Sequence, residues 1–154
     1  MAQKKSKKDY TLARKIIYLL GMANPRWSRK ANCVYNLGYH IVWCPKYRRK
    51  VLTGAVEADL KDLLEKKAGE LGISIEKMEI MPDHVHLFVK CDPTDSPSWV
   101  VSQLKGHTSH ELRAKHPHLK SRLPTLWTRS FYVESIGHIS EDTIKRYIED
   151  QKTV

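Results

Sequence analysis

The segment running from His84 to Cys91 (HVHLFVKC) limits the possible folds of this chain more than any other stretch. Side chains alternate across a β-strand. Val85, Leu87, Val89 and Cys91 therefore share one face and fit a helix-covered core, while His84 and His86 share the opposite face. Such a strand needs a sheet with one buried face and one face left for a ligand, a partner or water. Residues 35–43 alternate in the same way. Tyr35, Leu37, Tyr39, Ile41 and Trp43 lie on one side, with Asn36, Gly38 and His40 on the other. Pro45 ends that strand, and the basic run Lys46-Tyr47-Arg48-Arg49-Lys50 follows.

The remaining elements complete the sheet. Glu57 to Leu71 predicts an amphipathic helix with Leu60, Leu63, Leu64 and Leu71 inward, closed by Gly72. Ile73–Met81 predicts a strand and Pro82-Asp83 a turn into the histidine strand. Pro97 opens a second helix running to about His116, and Leu126–Val133 predicts a fourth strand. Ser140 caps a last helix, with Glu141 and Asp142 in its first turn where the helix dipole favours acids. The order β-α-β-β-α-β-α predicts an α/β (α+β) domain. Its expected form is a ferredoxin-like, RRM-like sandwich: an antiparallel sheet with helices on one face, and a C-terminal helix carrying Tyr147. Residues 1–32 read as a basic N-terminal extension. It has a possible short helix at Tyr10–Met22 and a basic, aromatic arm of Arg26, Trp27, Arg29 and Lys30. Residues 33–154 read as the compact domain.

Charge points to a polyanion. The formal net charge is +10, and residues 1–50 hold thirteen of the Lys and Arg residues against one acid, Asp9. A strongly positive end suits nucleic acid or an acidic membrane surface, and the first eight residues equally suit a solubilising tail. The cysteines, Cys33, Cys44 and Cys91, contain no C-x-x-C pair and argue against a disulfide scaffold or a structural zinc site. No apolar run is long enough to span a bilayer, and the short apolar stretch Ile16–Leu20 does not make a secretory signal. The expected location is the cytoplasm.

Two local patterns carry chemistry. His84 and His86 project from one strand face, close enough to share one metal ion, a pattern that two solvated histidines would also satisfy. Tyr147 and Gln151 are four residues apart and stack on one helical face. Ile144 and Ile148 run beside them, which equally suits plain packing of the tyrosine.

Taken together, these segments resemble the single-tyrosine HUH transposases of small single-strand insertion sequences. The resemblance rests on Tyr39-His40-Ile41-Val42-Trp43-Cys44-Pro45-Lys46-Tyr47-Arg48, on Met81-Pro82-Asp83-His84-Val85-His86-Leu87, on Leu104-Lys105-Gly106, and on Thr143 to Gln151. It covers about residues 34 to 152. It implies that His84, His86 and Gln151 hold a divalent metal, magnesium by preference with manganese as a substitute, and that Tyr147 is the nucleophile. It also implies a homodimer in which the tyrosine helix of one protomer can complete the site of the other. The implied substrate is single-stranded DNA bearing hairpins, cut and rejoined at element ends through a 5′-phosphotyrosine.

Elementary chemistry agrees with these roles. A free tyrosine has a pKa near 10, so its attack on phosphorus needs a metal to polarise and orient the phosphate. The phosphotyrosine product is still a phosphodiester, so a 3′-hydroxyl can reseal the strand without ATP. Imidazole favours transition metals and carbonyl oxygen favours magnesium or manganese, so the ligand types alone leave zinc open. Lys46, Arg48, Arg49, Lys105, Arg113 and Lys115 are the candidate DNA contacts, and Tyr47 and Trp127 the candidate stacking or packing aromatics. Four readings compete: a non-catalytic nucleic-acid-binding module on the same topology, a relaxase or replication initiator, a domesticated relative that cuts hairpins without moving an element, and a three-carboxylate transposase. The last fits poorly, because no acidic trio stands out.

Overall fold

The computed structural model describes residues 27–30, 32–137 and 141–151. The expected helix at Tyr10–Met22, Arg26 of the basic arm and the Ser140 cap lie outside the described residues. The chain divides into two units, Met1–Asn36 and Leu37–Val154. In the first, β1 (Ser28–Lys30) pairs antiparallel with β2 (Cys33–Tyr35). The strand expected over 35–43 is thus two strands. Tyr35 belongs to β2, and β3 (Gly38–Trp43) begins after Asn36-Leu37.

The second unit is built on a four-stranded antiparallel sheet. After β3 come a single 3₁₀ turn at Lys46–Arg48, α1 (Ala55–Leu71), β4 (Ser74–Met81) and β5 (His84–Lys90). Then follow α2 (Pro97–Lys115), the short α3 (His118–Arg122), β6 (Tyr132–Ile136) and α4 (Glu141–Asp150). The sheet order is β4-β5-β3-β6. Each strand–helix–strand unit therefore crosses over one intervening strand, which is the ferredoxin-like arrangement expected from the element order.

One sheet face carries the main core. Ile41, Trp43, Val85, Leu87, Val89 and Cys91 are buried against a stripe of α1 (Val56, Leu60, Leu64, Ala68) and a stripe of α2 (Val100, Val101, Leu104, Leu112). Each fully buried leucine contributes about 1.5–3 kcal/mol by leaving water. Gly72, in the left-handed conformation, terminates α1. Ser96 caps α2 by accepting from Trp99 N–H at 3.2 Å, and Pro97 occupies the first turn, where its missing N–H costs nothing.

The opposite face differs from expectation, because it is partly covered. There α4 packs Ile144 and Ile148 on Phe88 and Ile136. Lys77 pairs with Glu149, Lys145 with Glu76 and Lys90 with Glu141, so α4 runs antiparallel to β5 along the β4–β5 half of the sheet. Gly38 lies under the same layer. A Cβ built there would stand 2.7 Å from the buried Phe88 ring, so only glycine lets that ring pack.

The fourth strand is also displaced, from the expected Leu126–Val133 to Tyr132–Ile136. Leu126 and Trp127 are both buried, and neither belongs to a strand of the sheet. They sit in a connection held by α2. Lys105 Nζ donates to the carbonyl oxygens of Thr128 at 2.7 Å and Ser130 at 3.2 Å. Trp127 Nε1–H donates to Thr108 Oγ1 at 3.1 Å, and Arg113 donates to Pro124 O at 3.0 Å. Lys46 N–H to Leu126 O and Thr128 N–H to Cys44 O tie the connection to the end of β3 before it turns into β6. Replacing Lys105 by Met removes a charged donor and strands those carbonyls. We expect a loss of about 1.5–3 kcal/mol, read as a lower urea midpoint with unchanged slope.

Candidate active site

The face that carries α4 also carries the histidines. Val42 pairs with His86 across β3–β5, and His40 pairs with Phe88, so His40 and His86 are diagonal neighbours on one face. Their rings lie edge to edge and nearly coplanar, with centroids 5.3 Å apart and planes 13° apart, and His40 Nε2 lies 3.1 Å from His86 Nδ1. Both residues are only 5% exposed. His84, two residues along the strand, has its ring 4.9 Å from that of His86. The Pro82-Asp83 turn sits directly before it, so the Asp83 carboxylate reaches back to accept from His84 Nδ1–H at 2.6 Å. Arg48 Nε–H donates to the other oxygen of Asp83 at 3.1 Å. Burial by itself would raise the Asp83 pKa, but the His84 hydrogen bond and the nearby Arg48 charge outweigh it and hold the group below the usual carboxylate range. Asp83 is therefore an acceptor. A neutral His84 must then carry its proton on Nδ1 and present the lone pair of Nε2.

Tyr147 comes to the same place from α4. Its ring centroid is 5.9 Å from that of His86 and 6.0 Å from that of His40, and the residue is 48% exposed. Tyr147 opens on a pocket of about 480 Å³ lined also by His40, Val42, His86, Tyr132, Glu134 and Ile144. Gln151 lies one helical turn further, in the direction in which β5 leads from His86 to His84. Its Nε2 is 3.5 Å from Tyr147 O.

The donor set suits one divalent ion. The Nε2 atoms of His84 and His86 have no hydrogen-bond partner among the described residues, while both Nδ1 atoms are engaged. A carboxamide oxygen such as that of Gln151 is an acceptable third ligand. Among the described residues, no group of three or more His, Cys, Asp and Glu side chains could hold a metal. A metal here would thus depend on a ligand of another type.

Burial, followed by the neighbouring His84 and His40, holds the His86 pKa down to about 4. Burial lowers that of His40 as well, partly offset by Glu134. An unfolded histidine protonates near 6.5. The stability linked to these neutral rings is fully present above about pH 6.5 and is lost as the pH falls through about 4. With metal chelated, the urea midpoint should drop between about pH 6.5 and about 4, and His86→Asn should make that drop shallower.

The expected DNA contacts separate into two groups. Lys105 and Arg113 hold carbonyls of the 123–130 connection, Lys115 pairs with Asp59 at 2.6 Å, and Arg48 is committed to Asp83. Lys46 lies over the exposed Tyr47 ring at 5.2 Å. Arg49 lines a pocket of about 390 Å³ with Lys50, Val51 and Arg122. Trp127 is buried, with its ring edge-on to that of Trp43.

Strand alternation in the sequence places His40 on the correct face but assigns it no role. It gives Tyr132 no role and leaves Glu134 out, because the expected strand over 126–133 contains the first and stops short of the second. The even-numbered alternation of Tyr132, Glu134 and Ile136 is the signal that would have found them.

No helix among the described residues is long and apolar enough to cross a membrane. Comparison with known proteins gives the family. The model for the IS200-like transposases matches residues 33–151. The ISDra2 transposase TnpA of Deinococcus radiodurans is 38% identical over 120 residues, covering 77% of this chain and 86% of that protein. The transposase of insertion sequence IS200 from Salmonella typhimurium is 30% identical over 136 residues, covering 85% and 84%. A crystal structure of a candidate transposase from Deinococcus radiodurans superposes with a TM-score of 0.68 at 34% identity, covering 80% of this chain and 97% of that one. A REP-associated tyrosine transposase bound to a REP hairpin gives a TM-score of 0.61 at 15% identity, covering 82% and 72%, a likeness of fold alone. With its paired histidines under a tyrosine-bearing helix, and matched along most of its length by these relatives, the chain belongs to the IS200-like transposase family.

Proposed function

We propose that this chain cuts and rejoins single-stranded DNA at the ends of an insertion sequence, with Tyr147 as nucleophile and a divalent metal at His84, His86 and Gln151. The observation that carries the proposal is the meeting of Tyr147 with His86 and His40 at the mouth of one pocket, from elements far apart in the sequence. Tyr147 Oη attacks the scissile phosphorus, the bond from phosphorus to the 3′-oxygen breaks, and the 3′-hydroxyl leaves with a proton. The 5′-phosphate stays on the tyrosine as a phosphodiester, and attack by a 3′-hydroxyl reverses the step. A bound magnesium or manganese ion would supply charge and orientation at the phosphate. Phe88, Ile136, Ile144 and Ile148 anchor the helix so that the tyrosine is presented at the pocket. Arg49, Lys50 and Arg122 offer a pocket for a backbone phosphate, and the exposed Tyr47 offers a stacking face. A DNA hairpin is the proposed substrate form, in keeping with the hairpin held by the REP-associated transposase.

Labelled single strands from the flanks of the gene, incubated with magnesium, should yield a covalent protein–DNA adduct on a denaturing gel. Tight hairpin binding without any adduct would favour a domesticated relative or a binding module.

A homodimer belongs to the same proposal. The helix bearing Tyr147 follows Gly137, whose side-chain position is open space. The Ile144–Ile148 stripe that packs on its own sheet would fit the same groove of a second copy. Mixing Tyr147→Phe protein with His86→Ala protein restores cleavage that neither variant shows alone only where the helix is exchanged between copies. A mixture that stays inactive places tyrosine and histidines in one chain.

A further inference from the structure

We propose that His40 is a positioning residue that fixes the His86 ring so that Nε2 is its coordinating atom, as Asp83 does for His84. The inference rests on the reading of His84 and His86 as metal ligands. It adds what holds them, and by which nitrogen.

The two arms are chemically different. His84 gives its Nδ1–H to the Asp83 carboxylate, whose other oxygen accepts from Arg48. That arm lies near the surface, where a charge is tolerable. His86 is 5% exposed and has no carboxylate at its Nδ1; the atom there is His40 Nε2, 3.1 Å away in a ring that is itself 5% exposed. A neutral imidazole can accept at one nitrogen and donate at the other. It therefore takes at His86 Nδ1 the place of a carboxylate, while the buried Glu79 stands across the β4–β5 ladder from His86. Lone-pair presentation at His86 Nε2 requires the proton on Nδ1, so His86 donates and His40 Nε2 accepts. His40 must then carry its own proton on Nδ1. Glu134, directly across the β3–β6 ladder from His40, supplies negative charge that favours that proton. The near-coplanar, edge-to-edge rings place that bond in the plane of both rings, so a tilt of His86 would break it. Partners of this kind around metal-bound histidines set tautomer and ring orientation, and their loss costs roughly 10- to 100-fold in metal affinity.

The distinguishing experiment reads ring protons in the metal-free full-length protein. Long-range proton–nitrogen correlation at neutral pH should show His84 and His86 both protonated on Nδ1, and His40 likewise. In His40→Phe, which keeps a flat ring but offers no acceptor, His86 should shift toward the other tautomer. Mn²⁺ affinity, followed by the ion's magnetic resonance signal, should fall roughly 10- to 100-fold. His40→Gln, whose carboxamide oxygen can accept near the position of Nε2, should recover most of that loss; circular dichroism on both variants reports whether they fold. Wild-type protein that binds Mn²⁺ with His86 protonated on Nε2 would overturn the role of His40 and leave the ligand reading intact. A folded His40→Phe that binds Mn²⁺ as tightly as wild type would do the same. Failure of wild-type protein to bind Mn²⁺ at all would overturn both.

Discussion

Tyr147→Phe should abolish the covalent adduct and lower strand cleavage by roughly 10⁴-fold or more, as removing the nucleophile from a cooperating site does, while hairpin binding persists. The change removes one oxygen and leaves the ring, so the packing of α4 on Phe88 and Ile136 should survive. The structure makes this a discriminating test, because a second tyrosine faces the same pocket. The ring of Tyr132 lies 6.1 Å from that of His40, and its hydroxyl donates to Glu134 at 3.1 Å. That hydrogen bond and the carboxylate charge raise the Tyr132 pKa, so less phenolate forms there. Tyr132 also lies on the strand edge away from His84 and Gln151, while Tyr147 meets both His40 and His86. Tyr132→Phe should therefore keep forming the adduct. Loss of adduct in Tyr132→Phe with retention in Tyr147→Phe would exchange their roles.

The second large effect concerns the metal. Charge placed on a scissile phosphate is worth several kcal/mol, so its removal should slow cleavage on the order of a hundredfold or more. EDTA and His86→Ala should each do this, and adding magnesium should reverse only the first. His84→Ala should behave as His86→Ala does, with a further consequence at the surface. Without the imidazole, Asp83 keeps only Arg48 as a side-chain partner among the described residues, so its pKa should rise toward that of an ordinary carboxylate. Full cleavage in the presence of EDTA would mean that no metal takes part.

The scaffold is legible in the sequence where one period governs a whole element. The alternation of Val85, Leu87 and Val89, and the spacing of Leu60 and Leu64, lead directly to the sheet and its helix-covered face. Sequence pattern misleads where side chains from another element decide the backbone. Leu126 and Trp127 carry a strand-like composition, yet Lys105, Thr108 and Arg113 hold that segment as an irregular connection. No local pattern announces a lysine 23 residues before Thr128 as the partner of its carbonyl. The same holds for the site. His84 and His86 share a strand, so their common face follows from the pleat. That Tyr147 meets His86, and that His40 meets it from β3, depends on register and on where α4 lies. For the tyrosine the family resemblance, not the periodicity, supplied the expectation.

Mass spectrometry of the adduct after nuclease and protease digestion puts the assignment of the nucleophile to the sharpest test. A nucleotide remnant should be found joined through its 5′-phosphate to the peptide that contains Tyr147. A remnant on Tyr132 or any other residue, or cleaved DNA with no protein attached, would contradict that assignment.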